Sequence, residues 1–399
     1  MTANLGGPLT VPDDDEGKIG VLLLISGLTY GGAERQLVEL ANNLDKTRFV
    51  PIVCSLSSYN PLAQLLDVEF EVISKRTKYD LGVVSKVRAL IRRKNISIVQ
   101  SFLYDANIVA RLCRGFGASP CIISTERNSD YEVPSHKRFF ERITRLGMSL
   151  MMANSFAGKD HCIEYNGIAN ERIVVIHNGV DSSRFCPSSK AGVDQRSSLG
   201  LDSKQKLIGM VGNFKEQKNH RIFVLMAKKI LEFDSSVRFI IVGNVLEGDT
   251  ETSTRYRDGV YSLVEEMGLA QEIQFLTGRD DMTSIYNACD VTILPSTREG
   301  TPNVVLESMA CGTPVVASNV ADNAYVLQDG QDGRIVDLGD EATTVAGFSN
   351  AVLSLLNNST LAEEMGCHAR SRIETEFSLS RLVEKTAAVY EGLLTKSTD

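Results

Sequence analysis

Tryptophan is absent from the 399 residues, and nothing follows from that alone. Other absences exclude more. The eight cysteines include no C-x-x-C pair, and most stand in apolar runs, as Cys54 does in VPIVCSL and Cys311 in ESMACG. They read as buried free thiols rather than zinc ligands, and reduced thiols suit the cytosol. No apolar run approaches the ~18–20 residues that span a bilayer. The opening MTANLGGPLTVPDDDEGK is polar and acidic, unlike a signal peptide, and residues 1–17 are expected to form a disordered tail. Its DDD at 13–15 matches a metal-binding D-x-D only superficially, because it lies in that tail. No net basic charge is present: the balance of -8 argues against nucleic-acid binding, while leaving room for a local basic face.

What is present suits a soluble globular chain, 43% hydrophobic and 23% charged, and too long for one ordinary core. KIGVLLLIS reads as a buried strand, and GGAERQLVELANNL follows it with Leu37, Leu40, Ala41 and Leu44 at helical spacing. Strands VPIVCSL, ISIVQSF, CIIST and RIVVIHN alternate with helices DLGVVSKVRALIRRK and DANIVARLCRG. After the polar stretch PSSKAGVDQRSSLGLDSKQ the pattern restarts with KLIGMVGN, VRFIIVGN, IQFLTG, DVTILPS and TPVVAS. Such alternation predicts an α/β chain of two Rossmann-like, doubly wound domains facing across a cleft. The expected spans are 18–185 and 186–376, joined near 182–200. The segment from 377 to 399 is expected as a helix, with Leu382, Thr386, Val389 and Leu393 on one stripe, returning to the first domain.

In open α/β sheets ligands bind beyond the carboxyl ends of strands, so the loops after strands matter most. STREGTPNVVLESMACGTPVVAS follows one of them. Thr301 suits an N-cap, Pro302 the first helical position, Gly312 the C′ position, and Val304 lies within the helix. The unpaired N–H groups at the helix start form an anion site. Glu299 lies in the loop before the helix and Glu307 on its second turn, so both can face one cleft without touching. Carboxylates accept from vicinal hydroxyls, and a nucleoside diphosphate sugar offers phosphates and diols together.

Three further loops have two readings each. SGLTYGGAERQ is not G-x-G-x-x-G; Gly31 and Gly32 form either a structural turn or a close approach to a diphosphate. In VGNFKEQKNH, Lys215 and Lys218 are either solvated or the fixed cations that a departing diphosphate needs. HNGVD, with Asn178, is either a hinge or a ligand contact. The stretch SHKRFFERITRLGMSL puts Phe139, Phe140, Ile143, Leu146 and Leu150 on one face, with Lys137, Arg138, Arg142 and Arg145 mainly opposite. It is either a core helix with a solvated face, the usual outcome, or a surface for an anionic membrane or phosphorylated lipid acceptor.

Taken together, GGAERQ, NGVD, VGNFKEQKN, EGTPNVVLESMACGTPVVAS and DNAYVLQDGQDGRIV resemble the GT-B glycosyltransferases of family 4, the large retaining group, from about Gly20 to Leu394. The resemblance implies that Glu299 contacts the donor sugar, Glu307 binds the ribose, Gly31-Gly32 approaches the diphosphate and Lys218 holds the phosphates. It extends the donor set to Gly243, Gly300, Thr301, Pro302, Asn303 and Val304, and puts Arg279, in TGRDDMTS, near the base. Two departures stand out. The family's loop arginine is Asn213 here, with Lys215 as its candidate substitute. The histidine found in many members has no counterpart in STERNSD, where Arg127 is the candidate cation or acceptor contact.

The resemblance implies a retaining hexosyltransferase without cofactor or metal, in which the leaving phosphate takes the acceptor proton. Its donor would be a UDP- or GDP-linked sugar and its acceptor a glycan or lipid-linked hydroxyl, in surface polysaccharide or glycolipid synthesis. It would work in the cytoplasm, at the inner face of the plasma membrane if lipid contact holds. Two alternatives remain open at this point: a nucleotide-sugar 2-epimerase on the same fold, and a non-enzymatic two-domain sugar-binding protein.

Overall fold

The structure, a computed structural model, describes residues 17–395 except 76, 78–79, 81, 115–119, 128–133, 203, 246–249 and 279–280. The expected tail at 1–17 therefore lies outside the described residues save for its last one. The first sheet contains β1 (Ile19–Ile25), β2 (Phe49–Ser55), β3 (Glu69–Val72), β4 (Ile96–Phe102), β5 (Cys121–Glu126), β6 (Leu150–Ala153) and β7 (Ile173–Val175). Its order is β3-β2-β1-β4-β5-β6-β7, with every pairing parallel. The second contains β8 (Leu207–Val211), β9 (Arg238–Val242), β10 (Ile273–Leu276), β11 (Val291–Leu294), β12 (Val315–Ser318) and β13 (Arg334–Val336), in the order β10-β9-β8-β11-β12-β13, also all parallel.

Both sheets are buried on two faces, which is why their strands are continuous apolar runs such as Val21–Ile25 and Phe239–Val242 rather than alternating ones. Each reverses direction at one place, between β1 and β4 and between β8 and β11. At such switch points adjacent loops diverge and leave a crevice. The loops after β1, β8 and β11 thereby come to the two crevice mouths.

The chain passes between domains twice, side by side. Val180 N–H donates to the Phe377 carbonyl and Leu379 N–H to the Val180 carbonyl, both at 2.9 Å. A Cβ on Gly179 would come within 2.8 Å of the Leu382 Cβ, so only glycine permits this approach. The helix Leu379–Thr395 then lies on the first domain. Its Leu382, Ala387 and Tyr390 join the cluster built on β1 and the helix Gly32–Asn43, and Val389 and Leu393 pack at its edge. Tyr390 is fully buried, its ring edge-on to Phe49 and its hydroxyl donating to Gln100.

The reading of SHKRFFERITRLGMSL as a core helix is overturned. The helix covers Ser135–Thr144, a 3₁₀ turn follows at Arg145–Gly147, and Leu150 is the first residue of β6 instead of the end of the helical stripe. The amphipathic helix is also turned outward. Glu141 and Thr144 are 8% and 9% exposed, whereas Phe139, Ile143 and Leu146, in the following turn, are 60%, 52% and 76% exposed. The cause is a buried cation beneath it: Arg111 donates to Glu141 and, at 2.9 Å, to the Ser124 hydroxyl. A buried charge must be paired, and only the polar face of this helix supplies the partner.

Candidate functional site

The loop after β11 behaves differently from its local pattern. The helix is Asn303–Ala310, Pro302 occupies the N-cap position, and no side chain caps it. Thr301 is therefore not the cap. Its hydroxyl donates across the cleft to the Asn154 carbonyl, while its own carbonyl accepts from Asn178 Nδ2 at 2.8 Å. The first N–H groups of the helix stay without a capping side chain, as an anion site there would require. Gly300 fits here because a Cβ would lie 2.7 Å from Asn154 Oδ1 and 3.0 Å from the Arg127 carbonyl.

Glu299 forms a 2.6 Å ion pair with Lys218, and both side chains are largely buried. The two loops are stitched together behind them, with Thr297 N–H donating to the Gln217 carbonyl at 2.8 Å and Gln217 Nε2 to the Arg298 carbonyl at 3.1 Å. Lys215 is exposed at the start of the 3₁₀ turn Glu216–Lys218. Asn213 lines the cleft without supplying a cation; its Oδ1 accepts from the Asn244 N–H at 3.2 Å. Gly243 lets the β8 and β9 loops touch, since a Cβ there would overlap the Gly212 carbonyl oxygen at 2.1 Å. These loops and Thr29–Tyr30 enclose a cavity of about 310 Å³, lined also by Asn244, Tyr261, Phe275 and Thr277. Arg279 lies outside the described residues.

Opposite, Gly31 precedes the helix Gly32–Asn43. Its missing side chain is filled by Glu34, whose Oε2 would lie 2.1 Å from a Cβ on Gly31. Glu34 accepts from the Thr29 hydroxyl at 3.0 Å, and burial pushes its carboxyl above the ordinary value. Sequence reasoning missed Glu34, although its place in the first turn of a glycine-led helix marks it. The Gly32 carbonyl accepts from Asn303 Nδ2 at 3.2 Å, so the glycine turn faces the uncapped helix directly.

NGVD proves to be a bridge between domains. Asn178 Nδ2 also donates to Asn303 Oδ1 at 2.7 Å, and its Oδ1 accepts from Arg127 Nη1 at 2.9 Å. Arg127 lies 4.9 Å over the Phe102 ring, and burial pulls its guanidinium down to about 10. Its guanidinium reaches the loop after β11 through Asn178, and its carbonyl lies against Gly300 of that loop. A second bridge was not foreseen. Asp322, after β12, accepts from the first N–H groups of the helix Phe156–Glu164, at 2.7 Å from Phe156 and 3.1 Å from Ala157, and pairs with His177 Nε2 at 2.7 Å.

Glu307 is separated from Glu299 by its own environment. Its Oε2 accepts from the Tyr286 hydroxyl at 2.7 Å, and with Arg35, Asp181, Arg184 and Asn303 it lines a small cavity of about 40 Å³. Val304 packs partly against the neighbouring apolar cluster. Among the described residues, no three His, Cys, Asp or Glu side chains gather to hold a metal ion.

Known proteins supply the remaining context. The family model "Glycosyl transferases group 1" matches residues 193–372 and "Glycosyltransferase Family 4" residues 30–184. The chain is similar to the UDP-Gal:alpha-D-GlcNAc-diphosphoundecaprenol alpha-1,3-galactosyltransferase of Escherichia coli, 26% identical over 78% of this chain and 79% of that protein. It is 30% identical to a D-inositol 3-phosphate glycosyltransferase of Mycobacterium sp. (strain KMS), over 49% of this chain and 43% of that one. Anabaena HepE, solved in complex with UDP, shares the fold with a TM-score of 0.81 over 94% of this chain and 100% of its own, at 21% identity. One family model thus falls on each sheet domain, and the chain belongs to the glycosyltransferases of GT-B fold.

Proposed function

We propose that the protein transfers a hexose from a UDP-linked sugar to a hydroxyl of a lipid-linked glycan, with retention of configuration and without metal or cofactor. The observation that carries this reading is the Lys218–Glu299 pair beside an uncapped helix start, facing Gly31-Gly32. When the donor enters, its diphosphate takes Lys218 and the helix N–H groups, and Glu299 is released to accept from the sugar hydroxyls. The bond from the anomeric carbon to the phosphate oxygen breaks, the acceptor oxygen bonds to that carbon on the same face, and its proton passes to the phosphate oxygen. Lys218 and Lys215 stabilise the charge on the departing diphosphate. The relative acting on a diphosphoundecaprenol-linked sugar and the UDP-bound structural neighbour support the choice of donor and acceptor.

The assay is transfer from labelled UDP-hexoses to polyprenyl-diphosphate sugars, read by product anomer. Transfer with retention is expected, and undiminished in EDTA. An isomerised donor without transfer, or loss of turnover in chelator restored by magnesium, refutes the corresponding part.

The reading also locates the enzyme on the cytoplasmic face of an anionic membrane. Support comes from the outward apolar face of the helix Ser135–Thr144, bordered by Lys137, Arg138, Arg142 and Arg145. Arg142 and Arg145 donate to the carbonyls of Tyr165, Asn166 and Gly167, and neither pairs with a carboxylate among the described residues. Aromatic and aliphatic side chains ringed by cations suit an anionic headgroup layer. Among the described residues no helix is long and apolar enough to cross a membrane. The chain should sediment with vesicles containing acidic lipid, detach in high salt, and lose that binding in a Phe139→Ser/Ile143→Ser variant. Equal partition onto neutral vesicles refutes the docking.

A further inference from the structure

We infer that Tyr286 is a positioning residue for the donor: its hydroxyl holds Oε2 of Glu307, so that the carboxylate is presented in one orientation to the ribose. This rests on the reading of Glu307 as the ribose acceptor. Tyr286 belongs to the helix Met282–Ala288 and is fully buried. Its ring lies in the apolar cluster with Ile285, Leu306 and Met309, and meets the Phe185 ring edge-on at 6.1 Å. A phenylalanine would fill that place equally well. The one polar atom added to it is aimed at Glu307, 2.7 Å away.

A glutamate on a helix surface samples many rotamers, and ordering it on ligand binding is unfavourable. Tying one oxygen to a rigid buried ring removes that loss beforehand. Each carboxylate oxygen accepts two hydrogen bonds, so Oε1 stays open to one ribose hydroxyl and Oε2 keeps a lone pair for the other. Electrostatics agree with the geometry. Burial pushes the Glu307 carboxyl upward, and the Tyr286 hydrogen bond, then Arg35 and Arg184, oppose it; Glu39 pushes it further up. Asp181 lines the same cavity, and Cys311 lies near on the helix's own end. Burial first, then Glu307, raise the phenol well above its ordinary range, so it remains a donor at every working pH.

The test compares Tyr286→Phe, Glu307→Gln and the double variant by steady-state kinetics with the UDP-sugar from pH 5 to 8. Tyr286→Phe should raise donor KM about 10- to 100-fold, as loss of a hydrogen bond to a charged group does, and leave kcat within about twofold. Its log(kcat/KM) should begin to fall at a higher pH on the acid side. The sign follows because the lost hydrogen bond lowered the carboxyl, and binding needs the carboxylate. Glu307→Gln should lack that acid limb, and adding Tyr286→Phe to it should change nothing further. A merely structural tyrosine would leave the pH profile in place and add its loss to that of Glu307→Gln; either result overturns the inference. If Glu307→Gln alone keeps the wild-type donor KM, the ribose reading falls and the inference falls with it. If Glu307→Gln raises KM while Tyr286→Phe does not, the ribose reading stands and only the tyrosine's role is lost.

Discussion

Lys218→Ala is expected to lower kcat/KM by about 30- to 1000-fold, equivalent to roughly 2–4 kcal/mol of lost transition-state stabilisation. The diphosphate leaves with additional negative charge, and a fixed cation in a water-poor cleft stabilises that charge better than solvent. The structure adds a second effect. Lys218 holds Glu299 at 2.6 Å, so the alanine variant strands a buried carboxylate where the incoming diphosphate is also anionic. Glu299→Gln should lower kcat while free UDP binds almost normally, because in the proposed mechanism the carboxylate acts on the sugar as positive charge develops at its anomeric carbon. The double variant Lys218→Ala/Glu299→Gln should lose less than the sum of the single losses, since the stranded charge is gone. Calorimetry with UDP and initial rates on the three variants decide it. Wild-type kcat/KM in Lys218→Ala, or strict additivity, removes the partner exchange from the mechanism.

Arg111→Ala is expected to destabilise the first domain by about 3–5 kcal/mol, the usual effect of removing one member of a buried ion pair. For a domain of this size that lowers its thermal midpoint by roughly 6–20 °C. Arg111 sits under the Ser135–Thr144 helix with its side chain fully enclosed, and its loss leaves Glu141 buried without a cation. Arg111→Met/Glu141→Leu, which replaces the pair by apolar groups of similar volume, should recover most of the midpoint. Differential scanning calorimetry checks it; an unshifted midpoint in Arg111→Ala would mean that the pair holds nothing in place.

The alternation of strands and helices, and the loops after β1, β8 and β11, were legible because parallel strands buried on two faces are written as uninterrupted apolar runs. β3 was not legible: its sequence is EFEV, half-exposed at the sheet edge. β6 was hidden because Leu150 continued a helical stripe by accident of spacing. Periodicity also identified the Ser135–Thr144 helix as two-faced without saying which face lies inward. That was decided by Arg111, some 30 residues away in sequence. The same limit applies at the loop after β11. Thr301 fits every local rule for a cap, and its hydroxyl goes instead to Asn154 in the other domain. Asp322 and Tyr286 went unseen for a related reason: their partners, Phe156, Ala157 and His177 for the one and Glu307 for the other, are brought to them only by the assembled fold.

The helix Leu379–Thr395, seated on the first domain, also sets the order in which the two domains are completed. As the chain emerges from the ribosome, everything needed for the second sheet is present before that helix appears. The first domain, although made earlier, lacks Tyr390 and its neighbours until the whole of the second sheet has been made. Domains generally fold as units in the order in which they are made. Here the half made first is completed after the half made second, and the apolar surface beside β1 waits uncovered until the helix Leu379–Thr395 closes it.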